Sequence, residues 1–141
     1  MLSQRTLVPA TLYLITSLVG TQLPLLNYLG YEFSVVIALL ASFVSGFLTI
    51  KSVRQSLNEA STHHSLLIPN HTFSAFKQSL LLNLILLIIP LAVMLTNAFF
   101  VKNCSLLEGF GFFLLLPVVS VVFSSSLGFF CAVHYRWAKT V

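Results

Sequence analysis

The chain has 141 residues, of which 57% are apolar and 7% are charged, and its mean hydropathy is +0.99. A soluble domain usually carries about a quarter charged residues, so this composition excludes an ordinary water-soluble fold and indicates helices immersed in lipid. The net charge of +4 comes from scattered basic residues that form no patch with interleaved aromatic residues, so a nucleic-acid partner is not expected.

Four stretches without charge are long enough to cross a bilayer, because about 20 apolar helical residues cover a hydrocarbon core of about 30 Å. We predict spans at residues 8–26, 33–50, 79–101 and 109–134. The predicted fold class is an all-α polytopic membrane protein, with four transmembrane helices arranged as two antiparallel hairpins. Residues 1–141 are expected to form this single membrane domain.

The first span is the weakest of the four, because polar and helix-breaking residues such as Gln22 and Pro24 occupy its outer end. It can also be read as a cleaved signal peptide, with Arg5 as the basic start and a cut after Gly20. The residue three positions from such a cut would be Leu18, where signal peptidases favour small residues. The sequence therefore favours a retained span, and cleavage would leave three.

Basic residues predict the orientation, because cytoplasmic loops are enriched in Lys and Arg. If the helices alternate in direction, every basic residue except Lys102 falls on one side. Both termini and the loop at 51–78 are thus predicted to be cytoplasmic, in what we expect to be a bacterial inner membrane. Within the loop, the spacing of Val53, Leu57 and Ala60 predicts a short surface helix that continues the second span.

Small residues recur every four positions in the second and fourth spans. They are Ala38, Ser42 and Gly46 in the second span, and Ser120, Ser124 and Gly128 in the fourth. Residues four apart share a helix face, and small residues let another backbone approach closely, so these six are predicted helix-packing residues. Each stripe follows a loop in which Asn precedes Glu by five positions, at Glu32 and Glu108. The two halves are therefore either duplicated hairpins or alike by chance.

Candidate residues for chemistry are few. Glu32 and Glu108, at the predicted outer face, could hold a cation or a partner, but the sequence favours a simpler role as carboxylates beside the positive ends of helix dipoles. The histidines and the two cysteines have no metal-ligand spacing. No span carries a charge at mid-depth, where proton relays place one. We predict no catalytic, cofactor-binding or metal-binding residue, and no enzyme is expected.

Pro90 and Pro117 lie inside the third and fourth spans, where each removes an amide donor and frees a carbonyl four residues earlier. They predict static bends or, as the less favoured alternative, hinges. In the third span, Asn83, Thr96 and Asn97 are candidates for hydrogen bonds between helices, each worth on the order of 1 kcal/mol.

The composition and motifs favour a non-enzymatic membrane component, either a subunit or the N-terminal part of a larger permease-like protein, packed through the two small-residue stripes. Its expected partners are lipid and other membrane helices, from a second copy or another subunit. The alternative is a small homo-oligomeric transporter or channel, with an open polar cavity lined by Gln22, Ser42, Asn97 and Ser124. A membrane enzyme is a third hypothesis, but it requires the glutamates to meet histidines that the predicted topology places across the membrane.

Overall fold

The computed structural model describes residues 4–26, 29–62, 68–100 and 106–140, and the side chains of 6–26, 29–58, 72–100 and 107–134. In chain order, its elements are α1 (Gln4–Gln22), α2 (Tyr31–Thr62), α3 (Ile68–Leu86), α4 (Ile88–Ala98), α5 (Leu106–Phe113), a π-helical turn (Leu114–Val118) and α6 (Val119–Thr140). These ranges contain no strand, so the part of the chain that the structure describes is all-helical.

Within the described ranges, three helical stretches are long and apolar enough to cross a membrane: Tyr31–Asn58, Thr72–Ala98 and Leu107–His134. They contain 28, 27 and 28 residues, and at 1.5 Å per residue each extends about 40 Å. This length exceeds the hydrocarbon core of about 30 Å. The count is three where the sequence predicted four, because α1 is not among them.

α1 ends at Gln22, before the predicted end of the first span at Leu26. Pro24 explains the early end, because it lacks an amide donor and disfavours helical backbone at Leu23. The chain turns instead, and the Leu26 amide donates to the Leu23 carbonyl oxygen at 2.9 Å. The apolar part of α1 is therefore shorter than the sequence predicted.

Two buried prolines lie where the long helices change their geometry. α3 and α4 meet at Leu87, three residues before Pro90, where the Leu87 amide bonds to the Leu84 carbonyl oxygen at 3.2 Å. Leu87 keeps helical angles, with φ −67° and ψ −16°, so the helix is perturbed without unwinding. Pro117 lies inside the π-helical turn, whose wider loop accommodates the missing amide. The predicted third and fourth spans are thus each built from consecutive helical segments.

α2 is the central helix of the fold. Its most extensive contact is with α6 and its next is with α3, whereas α1 packs mainly on α4. The largest contacts therefore join one predicted hairpin to the other. The main core includes Tyr13, Phe33, Ile37, Phe113 and Val121.

The segment predicted as a surface helix forms the C-terminal part of α2, which continues without a break to Thr62. Val53 and Leu57 are buried there in a second, smaller cluster with Ala132 of α6. The side chain of Ala60 and the residues His63 and His64 lie outside the described part of the chain. α2 and α6 therefore stay in contact beyond the charge-free part of α2.

Candidate functional site in the helix interior

The helices expose many large apolar side chains, and their interior combines large apolar residues with small polar ones, whereas a soluble helical protein keeps its outer face polar. The fully buried polar residues include Ser17, Ser34, Ser45, Thr49, Asn83 and Ser125. The side chains that are at least 65% exposed include Phe43, Phe47, Phe123 and Phe130. Because polar groups of α2, α3 and α6 meet between these helices, this part of the interior is the candidate functional site.

The first part of this site is the contact between α2 and α6, which run in the same direction. The Ser124 hydroxyl donates a hydrogen bond to the Ser42 backbone oxygen, 82 residues away in sequence. A Cβ added to Gly128 would lie 2.8 Å from the Gly46 carbonyl oxygen, and one added to Gly46 would lie 2.8 Å from the Ser124 Oγ. Only glycine fits at these two positions without a shift of the neighbouring atoms.

The structure thus brings four of the six predicted helix-packing residues together, namely Ser42, Gly46, Ser124 and Gly128. The other two lie one turn nearer the N-terminal ends of the same helices, where Ala38 is buried and Ser120 is half-buried. The two small-residue stripes therefore meet within one chain. A partner subunit would have to pack against other faces.

The second part of the site is Asn83, which reaches from α3 toward α2 and α6. Its Nδ2 donates to the Ser45 backbone oxygen and to the Ser125 Oγ, each at 3.5 Å, the long limit for such bonds. Its Oδ1 is buried and has no hydrogen-bond partner among the described residues. The interhelical hydrogen bonds predicted for Asn83 are confirmed. Thr96, in contrast, bonds to carbonyls of its own helix at 2.7 and 3.0 Å, so its predicted role was wrong.

A third polar contact joins α2 to α3, where the Thr49 and Ser79 hydroxyls lie 3.1 Å apart and are buried. The sequence reasoning missed this pair. A signal was present, because Ser45 and Thr49 are four apart on α2, as Ser79 and Asn83 are on α3. In an antiparallel helix pair, these spacings place Ser45 opposite Asn83 and Thr49 opposite Ser79, so each helix presents two polar groups on the face that contacts its neighbour.

The predicted outer-face residues lie in the first turns of their helices. Glu32 is half-buried in α2, and Glu108 is exposed in α5. The two helix starts are neighbours, since the Gly109 backbone lies against the Leu29 carbonyl. One turn further along α5, the rings of Phe112 and Tyr31 make an edge-to-face contact with centroids 5.8 Å apart. First-turn carboxylates are what the helix dipole favours, which is the simpler of the two roles weighed for them.

The two halves of the chain do not pack as symmetric repeats in the described residues. A two-fold axis between duplicated hairpins would make α1 pack on α6 as α3 packs on α2. α3 contacts α2 extensively, whereas the main contact of α1 is with α4. The resemblance between the halves is therefore one of sequence pattern, and the helix packing does not repeat it.

Other candidate chemistry finds little support in the residues that the structure describes. No three His, Cys, Asp or Glu side chains come close enough there to hold a metal ion, and the free thiol of Cys131 is exposed; Cys104 lies outside these residues. Of the proposed cavity lining, Gln22 and Asn97 lie near helix ends, whereas Ser42 and Ser124 bond to each other in mid-helix. No protein-family model, curated protein or solved structure matches the chain.

Proposed function

We propose that the chain is a non-enzymatic integral membrane component, with lipid against its large apolar side chains and polar contacts holding its helices together inside. The observation that carries this proposal is the exposure of large apolar side chains around an interior that also holds polar groups. Phe43, Phe47 and Phe123 are 65–78% exposed, whereas Ser45 and Asn83 are at most 1% exposed. In lipid, helices associate through small residues and interhelical hydrogen bonds, and these are the contacts between α2, α3 and α6.

We propose four membrane crossings, with α1 as the shortest. The 19 residues of α1 extend about 28 Å, close to the hydrocarbon thickness of about 30 Å. Its outward side chains are apolar: Leu7, Val8, Leu12, Leu14, Ile15, Leu18 and Val19 are all more than 40% exposed. The bias of basic residues supports cytoplasmic termini, and the membrane that we propose is a bacterial inner membrane.

Alkaline carbonate extraction of membranes from cells that express the full chain tests the first proposal. An integral protein stays in the pellet, and release into the supernatant would overturn the proposal. Single cysteines then test the topology in a Cys104→Ser and Cys131→Ser background. If the chain crosses the membrane four times, Gln4→Cys and Thr140→Cys react with a membrane-impermeant maleimide only from the cytoplasmic side. Labelling of Gln4→Cys from outside would show that α1 does not cross the membrane.

The subunit role is tested by native mass spectrometry after purification in mild detergent. A subunit is expected to appear in an assembly heavier than the 15.6 kDa of one chain, with a second copy or another protein. A stable monomer would overturn the subunit role and leave membrane embedding intact. The transporter alternative has less support, because Ser42 and Ser124 close on each other.

A further inference from the structure

α2 carries a cleft on its outward face, where its apolar part gives way to its basic part. The cleft is a shallow groove, open to the surroundings, with a volume of about 370 Å³, and its described lining residues all belong to α2: Phe47, Ile50, Lys51, Arg54, Gln55 and Asn58. These residues are three and four positions apart, so they form one stripe along the helix. Phe47 and Ile50 lie at one end, and the polar residues occupy the other.

The polar end of the cleft is chemically suited to a phosphate group. Lys51 and Arg54 are both exposed and one helical turn apart, so their side chains can reach a common anion. A guanidinium presents N–H groups in a planar fork that matches phosphate oxygens, and an ammonium adds a compact charge. Gln55 and Asn58 line the same end of the cleft and are uncharged.

The apolar end is suited to a hydrocarbon chain. Phe47 is 72% exposed and stands in the last turn of the charge-free run that ends before Lys51. In the proposed topology, this boundary is the depth at which a phospholipid changes from acyl chain to phosphate. A free phosphate ion would leave the Phe47 and Ile50 end of the cleft unused, whereas an amphiphile would occupy both ends.

We propose that this cleft binds an anionic phospholipid, with its phosphate on Lys51 and Arg54 and its first acyl carbons over Phe47 and Ile50. The site rests on the proposed membrane placement of the chain. Its support is charge complementarity combined with a change from apolar to basic side chains over little more than one helical turn.

The test titrates phosphatidylglycerol, or zwitterionic phosphatidylcholine, into the detergent-solubilised full chain and counts bound lipids by native mass spectrometry. The chain is expected to bind phosphatidylglycerol more tightly. One basic residue near an anionic headgroup contributes about fivefold in affinity, so Lys51→Gln with Arg54→Gln is expected to weaken binding about thirtyfold. The charge-conserving Lys51→Arg should keep it, which separates loss of the site from loss of the fold.

Lys77→Gln is the matched control, because Lys77 is an exposed basic residue on α3 outside the cleft, with its Nζ 4.9 Å from the Phe73 ring centroid. This substitution is expected to leave the affinity for phosphatidylglycerol within about twofold of that of the unsubstituted chain. A fivefold loss in Lys77→Gln, equal to that of Lys51→Gln alone, would overturn the proposal in favour of general surface charge. Displacement of the lipid by inorganic phosphate or glycerol phosphate would overturn it in favour of a soluble anion.

The two proposals fail in different ways. If alkaline carbonate releases the chain from the membrane, both the proposed membrane placement and the proposed lipid site are overturned. A chain that stays in the membrane but binds phosphatidylglycerol and phosphatidylcholine equally loses only the lipid site.

Discussion

The Ser124 hydroxyl of α6 donates a hydrogen bond to the backbone oxygen of Ser42 on α2, one turn from the point where the Gly128 backbone meets the Gly46 carbonyl. The bond and the close approach depend on each other, because a short serine side chain reaches a neighbouring backbone only where small residues let the helices meet. The stability of the α2–α6 pair should therefore be sensitive to single methyl groups.

Gly128→Ala is expected to destabilise the fold by about 1–3 kcal/mol, because the new methyl group meets a backbone oxygen that cannot rotate away. The measurement is the free energy of unfolding by SDS in mixed micelles, followed by far-ultraviolet circular dichroism. Gly111→Ala is the matched control, since a Cβ at Gly111 meets nothing within 4 Å. It should be neutral or stabilising by up to about 1 kcal/mol through helix propensity. Equal effects of the two substitutions would contradict the close contact.

Gly109→Ala is expected to cost at least as much as Gly128→Ala. A Cβ at Gly109 would overlap the backbone carbonyl of Leu29, so the start of α5 would have to move away from the chain that precedes α2. We expect hydrogen exchange in α5 to increase more than in the C-terminal half of α6, as measured by mass spectrometry. Unchanged exchange in α5 would count against the contact with Leu29.

Asn83→Leu is expected to change the unfolding free energy by less than about 1 kcal/mol. It removes two long hydrogen bonds, each worth about 0.6 kcal/mol in membrane proteins, and also removes a buried acceptor that has no partner in the described residues. Asn83→Asp, which can place a charge at the same depth, should cost about 2.5–3.5 kcal/mol. A cost above about 2 kcal/mol for Asn83→Leu would mean that the Oδ1 has a partner in the folded chain.

The Thr49 and Ser79 hydroxyls should be energetically coupled. A double-mutant cycle with Thr49→Val and Ser79→Ala, measured by the free energy of unfolding, is expected to give a coupling energy of about 0.6 kcal/mol. The upper range for such bonds is about 1.7 kcal/mol. Thr96→Val combined with Ser79→Ala is the control cycle, because Thr96 bonds to its own helix, and it should show no coupling. Similar coupling in both cycles would argue against a direct bond between Thr49 and Ser79.

The long apolar helices could be predicted from the sequence, because the absence of charge over about 20 residues is sufficient to indicate a membrane-length helix. The end of α1 is less predictable in spite of Pro24, since a turn at 23–26 and a fraying helix end leave the same pattern of residues. The perturbation at Leu87 and the π-helical turn both lie where Pro90 and Pro117 predict a local change.

The interior contacts could be predicted only in part. The spacing of small residues identified the faces of α2 and α6 but not that they meet each other, because a stripe carries no information about its partner. The hydroxyl bonds were harder still. Ser17 bonds to the Tyr13 carbonyl within α1, whereas Thr49 bonds across to α3, and nothing in the local sequence separates the two cases. In the sequence, Lys51 and Arg54 indicate orientation, whereas the cleft beside them is a property of the folded chain.

The 82-residue separation between Ser42 and Ser124 has a consequence for how the protein is made. At a synthesis rate of about 5–20 residues per second, α6 emerges from the ribosome about 4–16 s after the facing part of α2. α3 arrives earlier, since Thr49 and Ser79 are 30 residues apart, so α2 and α3 can associate first. In the proposed membrane placement, lipid must cover the glycine-containing face of α2 until α6 arrives, so the α2–α6 contact forms after the α2–α3 contact.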